Sequence, residues 1–472
     1  MQYVSTRGSA PKLGFEDVVL AGLARDGGLY LPESWPAISP DTIRRFAGLP
    51  FAAIAVEVIL PFTAGAISRA ELKRMADEAY ASFGHPSVTP IVQLTPSLHI
   101  LELFHGPTLA FKDVAMQLLA RLMDHVLERR GNRATIVGAT SGDTGGAAIE
   151  AFRSSKRADI VILFPEGRVS DVQRRMMTTP TEANVHAVAV KGSFDDCQAL
   201  VKAMFNDHAF RDSVQLSGVN SINWARIVAQ ITYYFAAAAK LGAPDEAVSF
   251  SVPTGNFGDI FAGYAAKRMG LAINKLIIAS NENDILPRTV ATGAYEMRGV
   301  VATSSPSMDI QISSNFERYL FEAAGRDAGV IRSLMHSLAA NKRFELGSLW
   351  ATLKADFDAA SASESDVADC IRRMKARHGY VVDPHTACGV IAGERVKTHG
   401  KTVVLATAHP AKFPDAIRGI TGEHLSLPPR LSNLMTDPER FDVLPNDLAA
   451  VQAYVARCAG GSINGAAQKA SA

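Results

Sequence analysis

The chain has 472 residues, with 48 Lys plus Arg against 47 Asp plus Glu and 47% hydrophobic residues. That length predicts two or three domains with enough apolar material for a large core. A charge balance near zero argues against a polyanion partner, because nucleic-acid binders carry a basic excess.

Residues 1–92 read as a mainly helical N-terminal domain. Its start, MQYVSTRGSA, lacks the apolar run of a secretory signal. The turn 26-DGGLYLP-32 is rich in breakers, and 63–83 reads as a helix with one exposed face. No strand–helix alternation is expected here. Nowhere in the chain do about eighteen uncharged apolar residues run together, so no membrane span is predicted. Cys197, Cys370, Cys388 and Cys458 are scattered, with no zinc spacing and no disulfide framework. Together these features point to a cytoplasmic, globular protein.

From residue 93 the pattern changes. Val114, Leu118, Leu122 and Val126 recur every four residues, which predicts a helix over 112–130. Apolar strand-like blocks follow at 134–139, 159–164, 185–190, 247–252, 275–280 and 402–407, each leading into helix-like sequence. Unbroken apolar strands alternating with helices predict an α/β fold of mostly parallel sheets with helices on both faces. The stretches 298–315 and 355–366 read as insertions or linkers. Residues 93–459 thus form one α/β region, and 460–472 form a small, polar, mobile tail.

Ligands of open α/β sheets bind beyond the carboxyl ends of the strands. Three such ends carry unusual loops. The first, 138-GATSGDTGGAA-148, offers glycines and a helix start suited to an anion. It fits neither the Walker nor the dinucleotide glycine spacing. A tight turn capped by Ser141 or Asp143 would account for it equally well. The second, 253-PTGNFGDIFAGYAA-266, brackets Asn256 and Phe257 with Gly255 and Gly258, and either cradles a phosphate or is a plain turn. The third, 405-LATAHPAKFPDAI-417, places Thr407 at a strand end, followed by His409 and Lys412.

Lys112 is the oddity. It opens an apolar helix between Phe111 and Asp113. A helix N-terminus carries partial positive charge and disfavours a cation. A desolvated lysine, however, loses its proton more readily and becomes nucleophilic, which is what covalent capture of an aldehyde requires. Two anion loops would then serve the phosphate of such a cofactor and a substrate carboxylate.

Several motifs are shared, in order, with a known family. They are MQYVSTRG at 1–8, DGGLYLP at 26–32, HGPTLAFKD at 105–113, ATSGDTG at 139–145 and FDDCQ at 194–198. NSINWARI at 220–227, TGNFGD at 254–259, SPSMDIQISSNFER at 305–318 and TAHPAKF at 407–413 complete the set. In them the chain resembles the threonine synthase family of the longer, bacterial and fungal type, within the tryptophan-synthase-β-like pyridoxal-phosphate enzymes. The resemblance covers residues 1 to about 425.

The resemblance implies a lyase that converts O-phospho-L-homoserine and water to L-threonine and phosphate, as a monomer or homodimer without nucleic-acid or membrane partners. It implies that Lys112, beside Phe111, binds pyridoxal 5'-phosphate covalently. Gly255, Asn256, Phe257, Gly258 and Asp259 would form the loop around the cofactor phosphate, and Thr407 would face the pyridine nitrogen. Ser141, Gly142, Asp143 and Thr144 would take the substrate carboxylate, although the wider superfamily often has Asn where Asp143 stands. Ser221, Asn223 and Arg226 would receive the substrate phosphate. The alternative for these three is a helix start at Ser221 and a surface arginine. For His105 and His409, local structural hydrogen bonding is expected.

Overall fold

The computed structural model describes residues 1–469, with side chains described as far as residue 459. The mobile tail expected from residue 460 lies outside the fully described residues.

All six expected strands form, as Ala134–Ala139, Ala158–Pro165, Val185–Lys191, Val248–Pro253, Ile273–Ser280 and Lys401–Ala406. Every residue of Ala158–Pro165 and of Val248–Pro253 is buried; the first reads as a nearly unbroken apolar run, whereas the second buries Ser249 and Ser251 between its apolar residues. The strands divide between two sheets. One has six strands in the order Phe357–Ser361, Ile273–Ser280, Val248–Pro253, Lys401–Ala406, Leu98–Glu102 and Ile91–Gln93. All its pairings are parallel except the last. The other has five strands, wholly parallel, in the order Asp442–Pro445, Val185–Lys191, Ala158–Pro165, Ala134–Ala139 and Leu216–Ser217. Helices cover these sheets, so the α/β expectation holds.

One expectation changes. The stretch 355–366 is not a linker: Phe357–Ser361 is an edge strand, and Ser363 caps the helix Glu364–His378 through a capping box with Asp366. Its Ala- and Ser-rich sequence has little strand propensity, and the parallel ladder to Ile273–Ser280 supplies the order. The N-terminal residues are mainly helical, as expected, with one small two-stranded sheet. Tyr3–Ser5 pairs antiparallel with Tyr30–Pro32 beside the helices Phe15–Ala21, Pro40–Phe46, Phe51–Thr63 and Arg69–Tyr80. The stretch 298–315 holds only the 3-10 turn Pro306–Met308 and short loops, yet Asn281 and Asn283 both donate to its Asp309 carboxylate and pin it to the body.

The N-terminal residues share one continuous core with the α/β region. At its centre is Trp224, fully buried, with the rings of Tyr3, Trp35 and Phe62 at 6.0, 6.0 and 5.8 Å. Trp224 opens the helix Trp224–Lys240, which also carries Arg226. Asn223 caps that helix and donates to the Val19 and Gly218 carbonyls at 3.0 and 3.1 Å. Arg318, also fully buried, donates to the Tyr30 carbonyl at 3.0 Å. The N-terminal segment therefore braces the start of one helix of the α/β region. Among the described residues no helix is long and apolar enough to cross a membrane, and all four cysteines are free.

Removing the Trp224 ring should empty this shared core. Trp224→Ala is expected to lower the unfolding free energy by about 3–5 kcal/mol, measured by chemical denaturation. A loss below about 1 kcal/mol would show that the N-terminal segment is only loosely attached.

Candidate active site

The helix Lys112–Arg130 forms with the expected bounds. Its first turn is tied to the strand Lys401–Ala406, because the Phe111 N–H donates to the Thr407 carbonyl at 2.8 Å. Asp113 shapes the preceding loop. Its carboxylate accepts from the Thr108 N–H at 2.8 Å and the Thr108 hydroxyl at 2.7 Å. Asp113 is fully buried, and burial raises its carboxyl to about 6. A Cβ on Gly106 would fall 2.3 Å from that of Asp113, so only glycine fits at this close approach.

Lys112 is 8% exposed, and its Nζ makes one hydrogen bond, 3.0 Å to Asp143 Oδ2. The Phe111 ring lies 4.7 Å away. Asp143 Oδ1 receives two further donors, Lys412 Nζ at 2.6 Å and Gln173 Nε2 at 2.9 Å. Burial lowers the Lys112 ammonium; Asp143 opposes that, and Lys412 and Arg226 add to it. Burial would raise the Asp143 carboxyl, but Lys112 and Lys412 outweigh it and hold the group well below the carboxylate range.

The loop before the helix Asp143–Phe152 is capped by neither Ser141 nor Asp143. The Thr140 hydroxyl accepts from the N–H groups of Gly142 and Gly145, both at 2.9 Å. Gly142 has φ +142°, and a Cβ there would fall 2.4 Å from the Gln173 amide. That approach lets Gln173 reach Asp143. Among the described residues, the N–H groups of Ser141, Asp143 and Thr144 and the hydroxyls of Ser141 and Thr144 have no protein partner.

The loop after Val248–Pro253 leads into the helix Gly258–Arg268 through Phe257, whose φ is +61°. The Phe257 ring is buried against Phe316 and Phe357, at 5.2 and 5.3 Å, which offsets the strain. The loop is clamped from outside. The Asn256 carbonyl accepts from the Asn315 backbone and side chain, both at 3.0 Å, and the Gly255 carbonyl accepts from the Ser313 hydroxyl. The N–H groups of Gly255, Asn256, Phe257 and Gly258 have no acceptor among the described residues. Consecutive free amides at a helix N-terminus form an anion cradle. Asp259 lies beneath it, bonded by the hydroxyls of Tyr233 at 2.5 Å and Tyr234 at 3.0 Å, with its carboxyl raised to about 6 by burial.

Arg226 is not a surface arginine. It is buried, its Nη1 donates to the Val219 carbonyl at 3.2 Å, and its Nε has no partner among the described residues. Burial lowers its guanidinium to about 10. The helix starts at Trp224, not at Ser221, whose hydroxyl makes no hydrogen bond to the described residues. The Asn223 amide is fully engaged with backbone groups, as described above, and has no donor left for a ligand. The Thr407 hydroxyl is likewise without a protein partner among the described residues.

Lys412, Gln173 and the pair Asp383–His385, 2.7 Å apart, were not among the expected site residues. His385 lies close enough to help hold Asp143 ionised. A lysine between Ala411 and Phe413 was the one available signal, and Gln173 gave none. His105 and His409 take structural roles. His105 Nε2 pairs with Glu102 at 2.7 Å, and His409 Nδ1 accepts from the Ala411 N–H at 3.1 Å.

Family models tile most of this chain. "Threonine synthase N terminus" matches residues 2–80, "Pyridoxal-phosphate dependent enzyme" matches 83–408 and "Threonine synthase, C-terminal" matches 386–455. Threonine synthase from Pseudomonas aeruginosa is 50% identical over 97% of this chain and 98% of its own. The chain belongs to the threonine synthase family. The crystal structure of pyridoxal-phosphate-bound threonine synthase from Brucella melitensis superposes with a TM-score of 0.94, at 58% identity, covering 97% of this chain and 99% of that one. The yeast enzyme superposes with a TM-score of 0.91 at 39% identity, covering 98% and 99%.

The cofactor of this family is pyridoxal phosphate, and the residues present fit it. They offer a buried amine of lowered proton affinity, a cradle of free amides and an unpaired hydroxyl at Thr407. Only the neutral amine attacks an aldehyde, and burial favours the neutral form. Attachment of pyridoxal phosphate to the apoprotein, followed by absorbance, is therefore expected to have a pH midpoint below the ordinary lysine value of 10.5. A midpoint at or above that value would contradict the desolvated amine.

Proposed function

We propose that this site converts O-phospho-L-homoserine and water to L-threonine and phosphate. Phosphate leaves from Cγ with the bonding electron pair, Cβ loses a hydrogen and gains the hydroxyl of water, and Cγ gains a hydrogen. Pyridoxal phosphate, held by Lys112, the cradle of residues 255–258 and the Thr407 hydroxyl, supplies an electron sink for charge developed at Cα.

The protein residues divide the remaining work. Lys112, whose ammonium burial makes easier to deprotonate, takes and returns the Cα proton. The Ser141 and Thr144 hydroxyls, with the free N–H groups beside them, bind the substrate carboxylate. Asp143 does not share in that, because two carboxylates would repel. Its acceptor oxygens instead face the nitrogens that gather there. Arg226 and Ser221 receive the substrate phosphate and stabilise it as it departs.

The observation that carries this reading is the unpartnered Nε of buried Arg226 within electrostatic reach of Lys112. A site that eliminated only water or hydroxide would have no use for this third buried cation. The scattered free cysteines are consistent with a reducing, cytoplasmic setting.

Arg226→Leu tests the phosphate role. Phosphate release from O-phosphohomoserine is expected to fall about 100-fold to 1,000-fold in kcat, with the cofactor absorption band retained. Ser221→Ala should lose far less. Unchanged turnover in the arginine variant would remove Arg226 from the site. Phosphate released without an equal amount of threonine would contradict the proposed product.

A further inference from the structure

We infer that Lys412 is a positioning residue: as the standing counter-ion of Asp143, it releases Lys112 to act as an amine. The inference rests on the pyridoxal phosphate reading of Lys112 and adds a residue to it.

Lys412 is 0% exposed, so the protein buries two lysine amines against one carboxylate. The two are held unequally. Lys412 Nζ bonds Asp143 Oδ1 at 2.6 Å and the Thr108 carbonyl at 2.8 Å. Thr108 is itself locked to Asp113 through two hydrogen bonds. Lys112 Nζ has a single hydrogen bond, the longer one to Oδ2. Gln173 joins Lys412 on Oδ1. Lys112 can therefore leave without disturbing the carboxylate, which stays charged and fixed by its other oxygen. Oδ2 is then the one acceptor released for whatever replaces the departing ammonium.

The alternative is that Lys412 merely fills space. Charge distinguishes the two. The groups facing Lys112 are Asp143, Lys412, Arg226 and Asp259, with His385 acting through Asp143. Without the Lys412 cation, Asp143 would hold the Lys112 ammonium more tightly, and the fraction of neutral amine would fall. Without the Asp143 anion, Lys112 would face Lys412 and Arg226, and that fraction would rise. A space-filling residue moves neither equilibrium in opposite senses.

The experiment is reconstitution of apoprotein with pyridoxal phosphate across a pH series, following the absorption band. Folding of each variant is checked by circular dichroism. Lys412→Met is expected to raise the pH midpoint and slow attachment at neutral pH about tenfold per unit of midpoint shift. Asp143→Asn is expected to lower the midpoint, and Gln173→Leu, which removes a neutral donor, to leave it in place. A Lys412→Met midpoint that coincides with wild type, or charge variants that move in the same direction, would overturn the inference. Should Lys412→Met not accumulate folded, Asp143→Asn decides alone: a raised or unmoved midpoint overturns it. A wild type that develops no band overturns the cofactor reading and this inference together. A wild type that does, beside an unmoved lysine variant, overturns the inference only.

Discussion

Two lysine amines and a glutamine amide converge on one buried carboxylate. Moving any of these charges out of water costs several kcal/mol, and attraction offsets that only where the geometry is close and the remaining polar atoms are satisfied. Asp143 meets the condition, with Lys412, Gln173 and Lys112 at 2.6, 2.9 and 3.0 Å. One carboxylate cannot neutralise two ammoniums. The shortfall falls on Lys112, whose proton affinity burial lowers. The lowered proton affinity of Lys112 is thus a consequence of how the interior charge is arranged.

Much of the fold serves to hold that arrangement. Lys112 and Lys412 come from segments that follow Leu98–Glu102 and Lys401–Ala406, neighbouring parallel strands of the larger sheet. Asp143 comes from the carboxyl end of Ala134–Ala139 in the smaller sheet. The ion pair therefore spans the junction between two sheets. Gly142 matters for the same reason: a side chain there would collide with Gln173 and displace a donor from Asp143. On the far side, the N-terminal segment packs Tyr3, Trp35 and Phe62 around Trp224, two residues before Arg226. A region without readable chemistry of its own in this way braces the start of the helix that carries Arg226.

The strongest elements were legible because their patterns were unambiguous. The doubly buried parallel strand Ala158–Pro165 reads as an apolar block, and the helix Lys112–Arg130 was marked by its four-residue period. Short strands escaped notice. Phe357–Ser361 has Ala and Ser where strands favour branched residues, and Leu216–Ser217 is two residues long. Site loops were visible from glycine and hydroxyl content, but not which atoms they used. Thr140, not Ser141 or Asp143, caps its helix, and the Asn223 amide turns to the backbone. Lys412 and Gln173 could not be found by local pattern, because their importance comes from contacts across 269 and 30 residues of chain to Asp143.

Both lysines lie within hydrogen-bond distance of the same carboxylate, so the central claim is which of them bears the cofactor. Reduction of the reconstituted protein with borohydride, proteolysis and mass mapping would settle it. The account predicts a single pyridoxyl-phosphate adduct on the peptide containing Lys112. An adduct on Lys412, or none on Lys112, would contradict it.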